Sequence, residues 1–280
     1  MMLGNMNVNN CGKVTYLTFP AFEKYGFARH AFSTRKGGVS KGVFSSMNLN
    51  FDRGDDKGNV MENYRVFCKA AGFGFDTLVA SSQKHKTFIR RVGKGNVGTG
   101  IWKPKDIESV DGLITNEPEV TLVTYYADCV PLYFIDVKNK AVGLAHAGWR
   151  GTAAKIGART VEAMAREFGS EPQNIAAAIG PSIGPCCFEV DKPVRDVFAS
   201  IDGIAPYDFI KDGGGGKYHI DLWEVNRRIL IEAGIPAGNI VSSGVCTKCN
   251  HGLLFSHRVM GAKRGGLAAF IELKGKNDGN

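Results

Sequence analysis

EVTLVTYYADCVPLYFIDVKNKAVGLAHAGW, residues 119–149, decides how the chain folds. Residues 119–136 are dense in β-branched and aromatic side chains, the composition of a strand. A short polar turn follows, and 141–149 is apolar again. Two such runs around a short turn predict an antiparallel hairpin. If the turn is Lys138-Asn139, Val137 faces Lys140, and counting back sets Pro131 opposite His146. Side chains two apart share a face, so Cys129 and His146 become diagonal neighbours on one face. Pro131 cannot donate to a ladder, so its strand is an edge or is ending at Cys129.

Outward from the hairpin, helices and strands alternate. Residues 152–169 read as the clearest helix, with Ile156, Val161, Met164 and Phe168 on one face and Gly169 to end it. Residues 59–73, 187–200 and 221–234 read as further helices, with Asp191 and Asp221 as N-caps of the last two. Residues 77–92 and 175–180 read as strands. Short loops between some strands mix hairpins with helical crossovers. The expected fold class is α/β (α+β), one layered domain of mixed sheets flanked by helices. Residues 1–12 read as a flexible arm, and 13–280 as a single catalytic domain.

Composition narrows the function classes. Hydrophobic residues are 44% and charged residues 22% of 280, ordinary for a soluble globular chain. No apolar run approaches the roughly 18 residues of a membrane span, so no membrane association is expected. The start lacks the basic and apolar segments of a secretory signal, and a cytoplasmic location is expected. The net charge of +8 is scattered apart from clusters such as KHKTFIRR (84–91), and no nucleic-acid signature appears, so no nucleic-acid partner is expected. Seven cysteines argue against a disulfide framework. Nothing indicates the oligomeric state.

A thiolate and an imidazole on one face can bind a metal. His85, in the middle of another strand-like run, is the best third candidate. Three protein ligands leave a fourth position open, as in catalytic zinc sites. The competing readings are a hydrogen-bonded core histidine and a small buried thiol. Without metal, Cys129 and His146 would read as a cysteine-hydrolase dyad. A rival cluster, Cys246, Cys249, His251 and His257, has a C-x2-C pair but no room for a finger-type loop, so it reads as a turn with two ordinary thiols. Cys186 and Cys187 follow a rigid GPSIGP turn and receive no chemistry.

FSTRKGGVS (32–40), ADCVPL (127–132), GLAHAGWRGT (143–152), IGPSIGPCCFEV (179–190) and FSHR (255–258) together resemble the YfiH family. The match runs in order from about residue 30 to 270 of the sequence. That family was first called multicopper polyphenol oxidase or laccase-like, and is now described as purine nucleoside phosphorylase with adenosine deaminase activity. The resemblance implies a fold similar to the deamidase domain of cytotoxic necrotizing factor. It implies one zinc per chain, with copper possible, on His85, Cys129 and His146. It implies inosine, guanosine, adenosine or methylthioadenosine and phosphate as small-molecule partners. Some relatives are instead linked to editing a peptidoglycan precursor, an amidase reaction. Three departures touch the substrate pocket: Gln83-Lys84-His85-Lys86 replaces the usual Gln-Val-His-Gly, Ser256-His257-Arg258 the usual Ser-Tyr-Arg, and Arg264-Gly265 stands near the place of the usual Thr-Gly-Arg.

Phosphorolysis needs an anion site. Arg150, placed just before a helix, is the first candidate, and Arg35 and Arg258 come second. Gln83 joins them as a substrate-binding candidate. Cys129 and His146 carry the catalytic chemistry, with Asp128 a proton carrier although alternation points it to the opposite face. Glu189 is the alternative carrier. Trp149 and Phe44 are candidates to stack on a purine. True multicopper oxidation needs more ligands than six histidines arranged in this way offer.

Overall fold

The apolar run at 119–136 breaks into two strands of different sheets, and this break organises the molecule. A computed structural model describes residues 1–275; residues 276–280, the end of the segment read as a catalytic domain, lie outside the described residues. In chain order the strands are β1 (Met2–Leu3), β2 (Met6–Cys11), β3 (Val14–Thr18), β4 (Ala28–Ser33), β5 (Leu78–Ala80) and β6 (Phe88–Arg91). They continue as β7 (Val110–Thr115), β8 (Thr121–Tyr126), β9 (Val130–Asp136), β10 (Ala141–Ala147) and β11 (Ile175–Ile179). The last are β12 (Glu189–Asp191), β13 (Ile210–Gly214), β14 (Lys217–Ile220), β15 (Ile240–Ser242) and β16 (Leu267–Leu273). The helices are α1 (Pro20–Glu23), α2 (Lys57–Ala71), α3 (Trp149–Ala153), α4 (Ile156–Phe168), α5 (Lys192–Ala199), α6 (Leu222–Glu232) and α7 (His257–Met260).

Seven strands form one sheet in the order β1-β2-β3-β4-β16-β8-β5, and six form a second, β15-β11-β9-β10-β7-β6. A small third sheet is β12-β14-β13. Both large sheets are mixed: β5 runs parallel to β8, β6 to β7 and β11 to β15, and the other pairs are antiparallel. The two sheets share one core, in which Phe32, Leu122, Tyr126 and Ile271 meet Leu113, Tyr133, Ile135 and Leu144. The outer face of the first sheet packs on α2 through Tyr64, Phe67 and Phe270. The outer face of the second packs on α4 and α6 through Leu132, Phe134, Met164, Ile229 and Leu230. Central strands are thus buried on both faces, which is why β8, β9 and β10 read as nearly unbroken apolar runs.

The hairpin between β9 and β10 has the expected register, with Pro131 opposite His146. Other expectations need correction. Residues 1–12 are not a loose arm: β2 pairs with β3 from Asn7 to Cys11, and Met6 is fully buried in the shared core. The alternation of MNVNNC was too polar to announce a strand whose apolar anchors lie at its start. The run 77–92 is two short strands, β5 and β6, in different sheets. The helix expected at 152–169 starts earlier and breaks at Lys155, whose φ is 56°. Gly169 ends α4 and the Asp221 carboxylate caps α6 through the Trp223 and Glu224 N–H groups, as expected. Asp191 stands at the N-cap of α5, but its carboxylate goes to Lys217 at 2.5 Å.

His30 on β4 is 8% exposed and sits among the rings of Phe19, Phe22 and Tyr133. Its Nε2 accepts the Phe19 N–H at 2.7 Å, which requires the neutral ring. Burial pulls His30 down to about 3 from the ordinary 6.5. The unfolded chain therefore takes up a proton below 6.5 that the folded chain refuses, so stability is lost as pH falls through that window. Between about pH 7 and about pH 4.5 this one group should remove roughly 2–3 kcal/mol. Urea unfolding at those two pH values should show a smaller loss in His30→Gln, which keeps an acceptor. An equal loss in wild type and variant would remove His30 from the account.

Candidate metal centre

The chain passes from the first large sheet to the second at two neighbouring places. Residues 81–87 connect β5 to β6, and residues 127–129 connect β8 to β9. β5 and β8 are parallel neighbours, so both connections leave the first sheet side by side. Each turns on a left-handed residue, His85 at φ 58° and Asp128 at φ 86°. Asp and His are among the few non-glycine types enriched in that region. His85 therefore lies in a loop rather than mid-strand, and the kink is at Asp128 rather than Pro131.

These turns bring the three expected ligands together. Cys129 enters β9 beside the end of β10, where the hairpin register holds His146. Cys129 Sγ lies 3.8 Å from His85 Nε2. The His85 and His146 rings are 4.8 Å apart at 76°. One donor atom from each of His85, Cys129 and His146 lies within 4.8 Å of the others. A Cβ built on Gly148 would stand 2.7 Å from His85 Cδ2, 3.3 Å from Cys129 Sγ and 3.5 Å from His146 Cε1. This explains the glycine just after β10: any larger residue intrudes among the ligands.

Asp111 on β7, fully buried, organises the cluster and had no sequence signal of its own. Its Oδ1 accepts the His146 Nδ1–H at 3.0 Å and the His85 N–H at 2.9 Å. Its Oδ2 accepts the N–H groups of Lys84 at 3.1 Å and Lys86 at 2.8 Å. Holding the proton on Nδ1 leaves His146 Nε2 as the free lone pair, the usual arrangement behind a metal-ligating histidine. Burial would raise the Asp111 carboxyl, but the bonds from His146 and the backbone outweigh it and hold it below the usual range. Burial would raise the Cys129 thiol too, yet His146 and His85 bring it down to about 6. Burial would lower His146, yet Cys129 and Asp111 push it up to about 9, so without metal the ring holds a second proton on Nε2 beside the thiolate, which a metal would displace. The protein thus favours a thiolate at Cys129, the form that binds metal or attacks an electrophile.

Two cavities meet at this cluster. The first, about 470 Å³, is lined by Arg53, Lys84, Lys105, Arg264 and Gln83 among others. Its acidic lining residue Asp52 is paired with Lys105 at 2.6 Å. The second, about 370 Å³, is lined by Trp149, Ile183, Phe188, Val190 and Leu222, with Asp128 and Arg258. His85, Cys129 and His257 border both.

The other expected site residues divide. Gln83 lines the first cavity, but its amide is spent on the backbone of Tyr125, at 2.8 Å to the carbonyl and 2.7 Å from the N–H. Arg258 lines the second and donates Nη1 to the carbonyls of Cys187 and Glu189, each at 3.1 Å. Asp128 accepts the Thr247 hydroxyl at 2.6 Å and the Arg258 N–H at 2.7 Å, so both its oxygens are engaged away from the three donors. Arg150 is not brought to either cavity; it lies inside α3, exposed, stacked 4.1 Å over Trp149. Arg35 is also elsewhere, donating to the carbonyls of Ser45 at 2.9 Å and His251 at 3.2 Å.

Arg264 stands near the place of the family's usual Thr-Gly-Arg and carried no role in the sequence reading. It lines the first cavity, is 5% exposed, and its Nε and Nη1 have no hydrogen-bond partner among the described residues. Burial, with Arg53 nearby, pulls its guanidinium down to about 10, still charged at neutral pH. A buried cation without a partner is costly unless an anion arrives.

Comparison with known proteins gives a consistent result. A family model described as multi-copper polyphenol oxidoreductase laccase matches residues 29–274. Purine nucleoside phosphorylase YlmD of Geobacillus stearothermophilus is 39% identical over 241 residues, covering 85% of this chain and 88% of the relative. Adenosine deaminase RL5, from an unknown prokaryotic organism, is 35% identical over 250 residues, covering 87% and 95%. The crystal structure of the hypothetical protein YfiH of Bacillus licheniformis superposes with a TM-score of 0.89 at 34% identity, covering 95% of this chain and 99% of that one. With the match spanning all but the chain ends and the same fold in a solved relative, this chain belongs to the multi-copper polyphenol oxidoreductase laccase family, in which the YlmD and YfiH proteins stand.

Proposed function

We infer that the chain is a zinc-dependent purine nucleoside phosphorylase with adenosine deaminase activity, acting on inosine, guanosine, adenosine or methylthioadenosine in the cytoplasm. The observation that carries this reading is the buried, unpaired Arg264 guanidinium in a cationic cavity that ends on three converging metal donors. Two imidazoles and a thiolate suit zinc, and also copper. Asp111 behind His146 fits the support such a ligand needs. A divalent ion held by His85, Cys129 and His146 would supply a Lewis acid and, for deamination, an activated water. All seven cysteines are unpaired, which suits a reducing compartment.

The chain's own residues do the rest. Arg264 binds phosphate, and Arg53 and Lys84 around it add positive field. The second cavity takes the purine against Trp149 and Phe188. A phosphate oxygen attacks the anomeric carbon as the bond to the purine nitrogen breaks. The purine leaves with that electron pair and must gain a proton. His257 borders both cavities, and its Nδ1–H donates to the Gly261 carbonyl at 3.1 Å, so the ring in its imidazolium form would deliver the Nε2 proton to the departing base and regain it from solvent. Asp128 is a positioning residue: it ties the segment bearing Thr247 and Arg258 to the turn at Cys129.

A second reading rests on one observation, the order Cys129–His146–Asp111, which matches a cysteine-hydrolase triad. It assigns an amidase reaction on a peptidoglycan precursor. Metal dependence separates the two readings. A laccase reaction asks for several coppers, and the histidine-bearing cluster among the described residues has three donors.

Purified protein should release hypoxanthine from inosine only when phosphate is present. Cys129→Ala and His146→Ala should each lose this activity and one equivalent of zinc per chain, measured by elemental analysis. Absence of phosphate-dependent hypoxanthine release, with amide hydrolysis by the metal-stripped chain, would favour the amidase-type triad instead. Arg264→Ala should raise the KM for phosphate roughly 10- to 100-fold, the worth of a charge-assisted hydrogen bond. An unchanged phosphate KM would place the anion elsewhere. Gly148→Ala should fold, because the site is at a strand end, yet lose zinc by crowding His85 and Cys129. Retention of both zinc and activity in that variant would mean the ligands are not packed as described.

A further inference from the structure

Four cysteines outside the site above meet in space. Cys186 Sγ lies 3.6 Å from Cys249 Sγ, and Cys187 Sγ lies 3.5 Å from it. With Cys246, all four sulfurs lie within 4.8 Å of one another. Cys246 lies 59 positions beyond Cys187 in the sequence, so the fold assembles the group. Ser182 pairs with Cys246 as a bridge, and the Thr247 N–H donates to the Ser182 carbonyl at 2.9 Å. The histidines of the rival cluster do not join: His251 turns its Nδ1 to the Lys248 carbonyl at 3.0 Å, and His257 goes to the cavities.

We propose that Cys186, Cys187, Cys246 and Cys249 bind a structural zinc ion as a tetrathiolate site. The sulfur separations are far longer than the roughly 2.05 Å of a disulfide. The 3.6 and 3.5 Å separations from Cys249 are close to the edge of a tetrahedron with zinc–sulfur bonds of about 2.3 Å, which is about 3.8 Å, and the remaining pairs stay within 4.8 Å. The Gly184 N–H points at Cys246 Sγ from 3.3 Å, the kind of backbone donor that supports a metal-bound thiolate. No open ligand position remains with four protein sulfurs, so the site is structural rather than catalytic. The loop bearing Cys186 and Cys187 gives Ile183 and Phe188 to the apolar cavity. The Ile183 N–H donates to the Asp128 carbonyl at 2.9 Å, and Thr247 and Arg258 hold the Asp128 carboxylate. The ion would lock these loops together one residue away from Cys129.

The assignment is independent of the function read at His85, Cys129 and His146, and its test separates the two. Wild-type protein should carry two zinc ions per chain. Cys129→Ala should keep one, and Cys186→Ser/Cys249→Ser should lose one together with a fall in Tm. Should the double variant fail to fold, cobalt substitution of the Cys129→Ala chain gives the same answer. There the intense thiolate-to-cobalt charge-transfer and visible bands of a tetrahedral tetrathiolate are expected. A folded Cys129→Ala chain with no zinc and no such cobalt spectrum overturns the proposal. So does mass spectrometry showing these four cysteines as disulfides or as freely alkylated thiols in native protein, or iron in place of zinc at this site.

Discussion

One buried carboxylate holds the candidate metal centre together. Asp111 carries a negative charge at zero exposure, which by itself is strongly unfavourable. It is offset by the His146 ring and three consecutive backbone amides, those of Lys84, His85 and Lys86. The same four bonds join two separate parts of the chain. They fold the 84–86 loop so that His85 takes a left-handed conformation, and they set the proton of His146 on Nδ1. Leaving these partners unpaired would cost on the order of 3–5 kcal/mol. The ligand geometry is thus a consequence of electrostatics in the sheet interior, not of the loop alone.

The second constraint is the double passage between sheets. Because β5 and β8 are parallel neighbours, their following turns emerge together and deliver His85 and Cys129 to one place. The third ligand, His146, needs only the β9–β10 register. The centre therefore sits at a seam, with a charged chamber on one side and an aromatic one on the other. A nucleoside has matching ends, since its phosphorolysis joins an anion to a sugar and releases a flat apolar base. Gly148 keeps the seam open at the end of β10.

Much of this was readable from local sequence where the pattern was local. The hairpin parity that set Pro131 opposite His146 needed only alternation and a short turn, and the observed register has it. The mixed, helix-flanked sheets followed from alternating patterns, and the ordered motifs pointed to the family. The unread parts depended on distant partners. Nothing in YADCV marks the chain leaving one sheet for another, because both strands are buried and read as one apolar run. Asp111 lies in a strand-like VDGLIT, and its four partners are far away in sequence or belong to a loop read as strand. Arg264 was noted near the family's tail motif, but a role for it became visible only as an unpaired cation facing a cavity. Arg150 was singled out for a position beside a helix start, which is local, whereas its packing over Trp149, outside the lining of both cavities, is tertiary. The four-sulfur group was hidden in the same way, half in an adjacent pair and half in a C-x2-C turn.

The central claim is that a single divalent ion sits among His85 Nε2, Cys129 Sγ and His146 Nε2, with Asp111 behind it. Anomalous diffraction from crystals of the purified protein, recorded on both sides of the zinc edge, tests it most directly. The account requires a zinc-specific peak bonded to those three atoms. Crystals of fully active protein with no anomalous density among them, or with Cys129 clear of any metal and covalently joined to a substrate fragment, would contradict it.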